Sequence, residues 1–180
     1  MTSVTRRTTL WVLAAVMAAS VVVRAADDLR IRPTVNENHV IVSFEIDDAY
    51  TDAVRDAIAS GLRTTFTYDL ELRAKGSMWI DRTIATAVVT VSDQYDNLTR
   101  RHTLTRTVDG RAEDVTVTED DAIVRAWLTK ASRVPLCDTS MLDSTRDYYV
   151  RVTTRTRPVT GSMLGLPRTF SAQTRFTFIP

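Results

Sequence analysis

The sequence predicts a mainly β protein, an antiparallel β-sandwich of about seven strands with two short helices. Three observations carry that prediction. From Leu62 to Leu72 every second residue (Leu62, Thr64, Phe66, Tyr68, Leu70, Leu72) can face a core, while Arg63, Thr65, Thr67, Asp69, Glu71 and Arg73 are polar. A period of two is one face of a strand in a half-buried antiparallel sheet. The same alternation closes the chain in two segments, Tyr148 to Arg155 and Phe170 to Phe178. Turn chemistry separates the strands, most clearly at Asp96-Asn97 and Asp109-Gly110.

Taken in order, residues 1–25 read as a secretory signal peptide. They have a basic start (Arg6, Arg7), an apolar run from Leu10 to Val23 and small residues around Ala25. The run falls short of the about twenty apolar residues that span a bilayer. The pair Arg6-Arg7 lacks the Phe and Lys of a twin-arginine signal and reads as an ordinary charged start. Residues 26–38, with Pro33 and several Asn, read as a flexible lead-in. A single sandwich domain is expected over 39–180. Its first strand is His39 to Ile46, with Val40, Val42, Phe44 and Ile46 alternating. Asp47 and Asp48 stop it and can cap a short helix carrying Tyr50, Val54, Ala57 and Ile58, which Gly61 ends.

After the central strand, Lys75-Gly76-Ser77 reads as a turn, and a strand runs from about Ile80 through Tyr95. Its middle, Ile84 to Val91, is apolar enough to expect cover on both faces. Arg100 to Val108 returns as a hairpin partner, and Val115 and Val117 mark a short strand beyond Asp109-Gly110. Thr118-Glu119-Asp120-Asp121 has capping-box form for a second helix, with Ile123, Ala126, Trp127 and Ala131 on one face and Leu128 beside it. Arg133 to Ser144 is expected to be an irregular crossing, and Pro158 to Pro167 a long loop. A small membrane β-barrel is the alternative architecture. Against it stand the terminal Pro180, the two amphipathic helices and strands carrying only Thr and Leu where a lipid-facing band needs continuous apolar residues.

Lys plus Arg number 23 against 22 Asp plus Glu. Arg6, Arg7 and Arg24 leave with the leader, so the remainder is near neutral. Its arginines alternate with Asp, Glu and Thr, so no footprint for nucleic acid is expected. Cys137 is the only cysteine, which rules out an internal disulfide and suits a small core or loop residue. His39 and His102 stand alone without metal-ligand spacing and read as solvated or hydrogen-bonded. Asp47, Asp48 and Asp52 lack a calcium-loop pattern, and Glu119 to Asp121 suit a helix start. Asp69 and Glu71 share a polar strand face opposite arginines. Ser60-Gly61 is not a nucleophile elbow. No cofactor, metal or catalytic set is expected. Trp127 reads as core or rim. Trp79, with Asp81 and Arg82 beside it in a turn, is the expected partner contact, because an aromatic there is harder to explain as core.

Val40-Ile41-Val42-Ser43-Phe44 with Asp47-Asp48, Ser60-Gly61-Leu62, Glu71-Leu72-Arg73, Trp79 with Asp81-Arg82, and Tyr95-Asp96-Asn97-Leu98-Thr99-Arg100 together resemble one family. It is the exported bacterial proteins grouped as domain-of-unknown-function family 4390. The likeness continues through the Trp127 helix and Tyr148-Tyr149-Val150-Arg151-Val152. It implies no activity. By analogy it implies a periplasmic accessory role beside a membrane sensor kinase. The expected function is thus a non-catalytic interaction module, exported to the periplasm or cell envelope, whose partner is an envelope or membrane protein and whose mature domain does not insert into the membrane. A small-ligand-binding protein or enzyme, with a cleft between the sheets or under the Arg133 to Ser144 crossing, is the alternative.

Overall fold

In the computed structural model, which describes residues 29–76, 80–158 and 169–179, the alternating segments assemble into two antiparallel sheets. The elements are β1 (Leu29–Asn36), β2 (His39–Ile46), α1 (Asp52–Ala59), β3 (Thr64–Ala74), β4 (Arg82–Asp96), β5 (Arg101–Val108), β6 (Arg111–Thr118), α2 (Asp121–Thr129), β7 (Lys130–Asp138), β8 (Asp147–Pro158) and β9 (Thr169–Thr177). The small sheet has the order β1-β2-β7 and the large one β6-β5-β4-β3-β8-β9. Among the described residues neither closes on itself, as a sandwich requires and a barrel does not. No described helix is long and apolar enough to cross a membrane.

The core lies where the inner faces meet. Phe66, Tyr68, Leu70 and Leu72 of β3 are fully buried, flanked by Val89 and Val91 of β4 and Val150 and Val152 of β8. Each such side chain contributes about 1.5–3 kcal/mol on burial. From the small sheet, Val40, Val42, Phe44 and Ile46 point back at them, and the rings of Phe44 and Tyr68 are 4.7 Å apart. The Tyr68 hydroxyl is satisfied by the Leu128 carbonyl near the end of α2, and burial pushes its phenol well above the usual tyrosine range. The helices pack on the large sheet, α1 against β3 and β4 and α2 against β4 and β5, and α2 also meets β7 of the small sheet.

Nine strands stand among the described residues where about seven were expected, and the two additions, β1 and β7, flank the expected β2 in the small sheet. Of residues 26–38, expected as a flexible lead-in, Ala26 to Asp28 lie outside the described residues and the remainder forms β1 and the turn after it. Leu29 to Asn36 pairs along all of β2 and buries Leu29 and Ile31. Pro33 is tolerated because β1 is an edge strand, where a missing N–H costs nothing on the solvent side. Glu37 (φ 48°) and Asn38 (φ 62°) form a two-residue turn. The irregular crossing expected at Arg133 to Ser144 is instead the second half of β7 followed by a single helical turn, Thr139–Met141. Two bulges against β2 and a left-handed Arg133 (φ 59°) shift Ala131, Val134 and Leu136 out of period two, which hides the strand from pattern reading.

Other expectations shift more locally. The outer face of β4 is not covered, and Val88 stays 38% exposed. Asp47 and Asp48 form a one-turn helix with Ala49, while Thr51 caps α1 by accepting from the Val54 N–H at 3.4 Å. Asp120, not Thr118, caps α2, accepting from the Ala122 N–H at 2.7 Å. This turns the buried face of α2 onto Val124 and Leu128 and leaves Ile123 exposed. Asp109 (φ 49°) and Gly110 (φ 77°) make the expected tight hairpin between β5 and β6.

Gly61 ends α1 as expected, with φ 79°. Its N–H donates to the Ile58 carbonyl at 2.8 Å and the Leu62 N–H to the Ala57 carbonyl at 3.1 Å, the paired closure of a helix C-terminus. The one close neighbour of a Cβ here would be the end of the Asn97 side chain, at 2.9 Å, which can turn aside, so the left-handed backbone sets the cost. Gly61→Ala is therefore expected to lower stability by about 1–2 kcal/mol, read as a reduced urea midpoint with unchanged slope.

Candidate functional site

The turn between β3 and β4 carries the expected contact residues. Trp79 lies outside the described residues. Asp81 is half-buried and occupied. Its Oδ2 accepts from the Tyr149 hydroxyl at 2.6 Å, its Oδ1 from the Gly76 N–H at 3.3 Å, and its backbone carbonyl from Arg73 Nη2 at 3.3 Å. The Tyr149 bond, with Gly76 next, holds its carboxyl below the usual range. Asp81 thus fastens the turn to β8 rather than presenting a free carboxylate. Arg82 opens β4, is exposed and lines a depression of about 310 Å³ with Met141, Asp143, Arg146 and Tyr148.

The other singled-out residues have structural roles. Asp69 meets Arg155 of β8 at 3.1 Å and Glu71 lies 4.0 Å from Arg151 of β8, as cross-strand ion pairs on the outer face, while Arg73 of the same strand lies 3.7 Å from Glu71. The Trp127 ring carries the Arg106 guanidinium 4.3 Å from its centroid. His39 Nδ1 bonds the Glu37 carbonyl at 2.9 Å across the first hairpin. Cys137 sits half-buried on β7 opposite Val40, and burial pushes its thiol up, away from reactivity.

The concentrated polar chemistry is on the inner face, at the helix-covered end of the large sheet. Asp93 continues the buried row Ala87, Val89, Val91 of β4 and is 0% exposed, and His102 of β5 is 5% exposed. Asp93 Oδ2 lies 2.9 Å from His102 Nδ1. Asp93 Oδ1 is buried with no hydrogen-bond partner among the described residues. Desolvation raises the Asp93 carboxyl above the usual range although the His102 bond opposes it. On the other side of the ring, Nε2 is 3.6 Å from Asp121 Oδ1, at the start of α2. The Tyr95 ring lies against the imidazole, centroids 4.5 Å apart. This edge opens on a cleft of about 240 Å³ walled by Tyr50, Arg55, Ile58, Ala59, Tyr95 and Asp121. Burial, then the charges of Asp121 and Asp93, push the Tyr50 phenol up.

A carboxylate, an imidazole and a second carboxylate in line can hold and relay a proton. Among the described residues no three His, Cys, Asp or Glu are grouped to hold a metal ion. Of the two readings of His102, solvated or hydrogen-bonded, the structure shows the second, with a partner that the sequence reading did not name. The signal lay in the alternation, because an aspartate at position 93 falls on the core side of a row that is otherwise Ala and Val.

One of the two edge strands of the large sheet, β6, is the second distinctive surface. β6 pairs with β5 on one side and with no strand on the other among the described residues. Val115 and Val117 are 59% and 57% exposed on it. At its start a groove of about 460 Å³ runs between the β5–β6 turn and Pro135 of β7.

A family model described as a domain of unknown function, DUF4390, matches residues 26–175. Neither a curated protein nor a solved structure matches the chain.

Proposed function

We propose, from the premise that this chain belongs to the family of the domain of unknown function DUF4390, that it is an exported, non-catalytic accessory module of the bacterial periplasm or cell envelope. In this reading it docks on another envelope protein through the free edge of β6. The observation that carries it is the edge itself. It is an eight-residue strand with an unpaired side, two exposed β-branched residues and a groove at its start. An added strand from a partner would gain backbone hydrogen bonds along the edge and apolar contact at Val115 and Val117. The space between the sheets, one of the two places where a ligand cleft was the alternative, is occupied by Phe44 against Tyr68 and their neighbours. That favours recognition at the surface.

Photocrosslinking in the native envelope tests the reading. A photoreactive residue at Val117 is expected to capture one reproducible envelope protein, a membrane sensor kinase being the candidate by family analogy, and one at Ser171 on β9 is not. Capture from Arg82 but not from Val117 would move the contact to the β3–β4 turn and overturn the β6 assignment. Recovery of the chain in the cytoplasm alone would overturn export.

A further inference from the structure

We infer that Asp93, His102 and Asp121 form a proton-operated clamp that fastens the start of α2, just beyond the end of β6, to the large sheet. The three residues come from β4, β5 and the first position of α2, and only Glu119 and Asp120 separate the end of β6 from α2. With Asp93 ionised, His102 Nδ1 carries the proton that Asp93 accepts at 2.9 Å, so the neutral ring turns the lone pair of Nε2 towards Asp121. Two acceptors then face each other at 3.6 Å, and the contact is repulsive. Protonating Nε2 converts it into a charge-assisted hydrogen bond and places one positive charge between two carboxylates. The start of α2 is drawn in when the ring is charged and released when it is not.

The surroundings make the ring a controlled point. Tyr95 of β4 covers one side of it, and Thr118 of β6 is its register partner across from β5. Tyr50 precedes α1. Of the nearby cations, Arg55 of α1 is held by Asp52 and Arg101 of β5 by Glu119 at 3.0 Å, while Arg125 lies one turn along α2. The two carboxylates on His102 are thus the charges that meet it directly. Asp120 still caps the helix in either state, so the clamp sets the position of α2 without deciding whether it is a helix.

The test follows the carbon-bound ring protons of His102 by NMR across pH 5–8 in the whole protein (range about His ionisation), with the exposed His39 as internal reference. Amide exchange of α2 is measured in the same samples. Asp121 is 88% exposed in its side chain, so Asp121→Asn keeps the fold. The expected result is about threefold weaker proton binding at His102 in that variant. Protection of the Val124 amide in the wild type should also rise on acidification beyond the intrinsic exchange trend, and stay flat in the variant. Equal titration of His102 in both proteins overturns the clamp. So does a shifted titration with no change in α2 protection, which would leave an ion pair without mechanical effect. If docking at β6 holds, as this extension to function assumes, crosslinking from Val117 becomes pH-dependent in the wild type and not in Asp121→Asn. Absence of capture at every pH would count against the docking reading, while the titration and exchange still decide the clamp.

Discussion

Replacing His102 with leucine is expected to lower the free energy of unfolding by about 3–5 kcal/mol at neutral pH. The substitution removes the hydrogen-bond partner of a carboxylate that is 0% exposed. A buried charge stripped of its partner costs more than the pair contributed, because desolvation is no longer offset. The loss depends on pH in a defined sense. Asp93 already has a raised carboxyl in the folded protein, so the unfolded chain releases that proton first as pH rises. At acid pH, below the ordinary carboxyl range, both states are protonated and the penalty is absent. It grows as pH rises through that range and is complete above the raised folded value. The deficit of His102→Leu should therefore shrink between about pH 7 and about pH 4. The double variant Asp93→Leu with His102→Leu should recover most of the stability at pH 7, since an apolar pair replaces the polar one. Urea unfolding of the two variants at both pH values decides it. Equal loss in single and double variants would mean that packing, and not the stranded charge, carries the effect.

The double substitution Val115→Glu with Val117→Glu is expected to reduce partner capture at β6 at least tenfold, equivalent to about 1.4 kcal/mol of binding. Both side chains are exposed, 59% and 57%, and touch no core. Surface changes of this kind usually alter stability by no more than about 0.5 kcal/mol each. Docked against a strand, however, two carboxylates would be desolvated without partners. An unchanged urea midpoint together with lost capture is the expected pair of results. Unchanged capture would show that the partner does not pack over these valines.

The large sheet was legible because its central strands obey period two without interruption. In β3 every even-numbered residue from Thr64 to Ala74 is buried. The β5–β6 hairpin of the same sheet is announced by turn residues whose backbone geometry the structure confirms, Asp109 and Gly110 with positive φ. The small sheet was half hidden. β1 carries Pro33, and β7 carries two bulges and Pro135, features that a local reading takes for irregular chain. Edge strands accept such residues because one side of their backbone makes no ladder bonds.

The candidate sites follow the same division. Asp81 was recognised as part of a special turn, but its carboxylate serves Tyr149, which lies 68 residues away in the chain. Asp93 and His102 went unpaired in the sequence because each, alone, has an ordinary explanation. Only the register of β4 against β5, which sets His102 beside Tyr95 and Leu104 beside Asp93, brings the two side chains together. The exposed valines of β6 were visible as a strand, while their exposure depends on no further strand joining that edge.

By itself, then, the sequence determined family membership, the two-sheet class and which face of each regular strand is apolar, because side-chain alternation is a property of a few consecutive residues. The tertiary structure alone decided that β1 and β7 flank β2, that a carboxylate–imidazole–carboxylate row forms beneath α2, and that no strand among the described residues joins the outer edge of β6. Those outcomes turn on register and on which distant segments become neighbours. They are set by the collective burial of the core, and no short stretch of the chain encodes them.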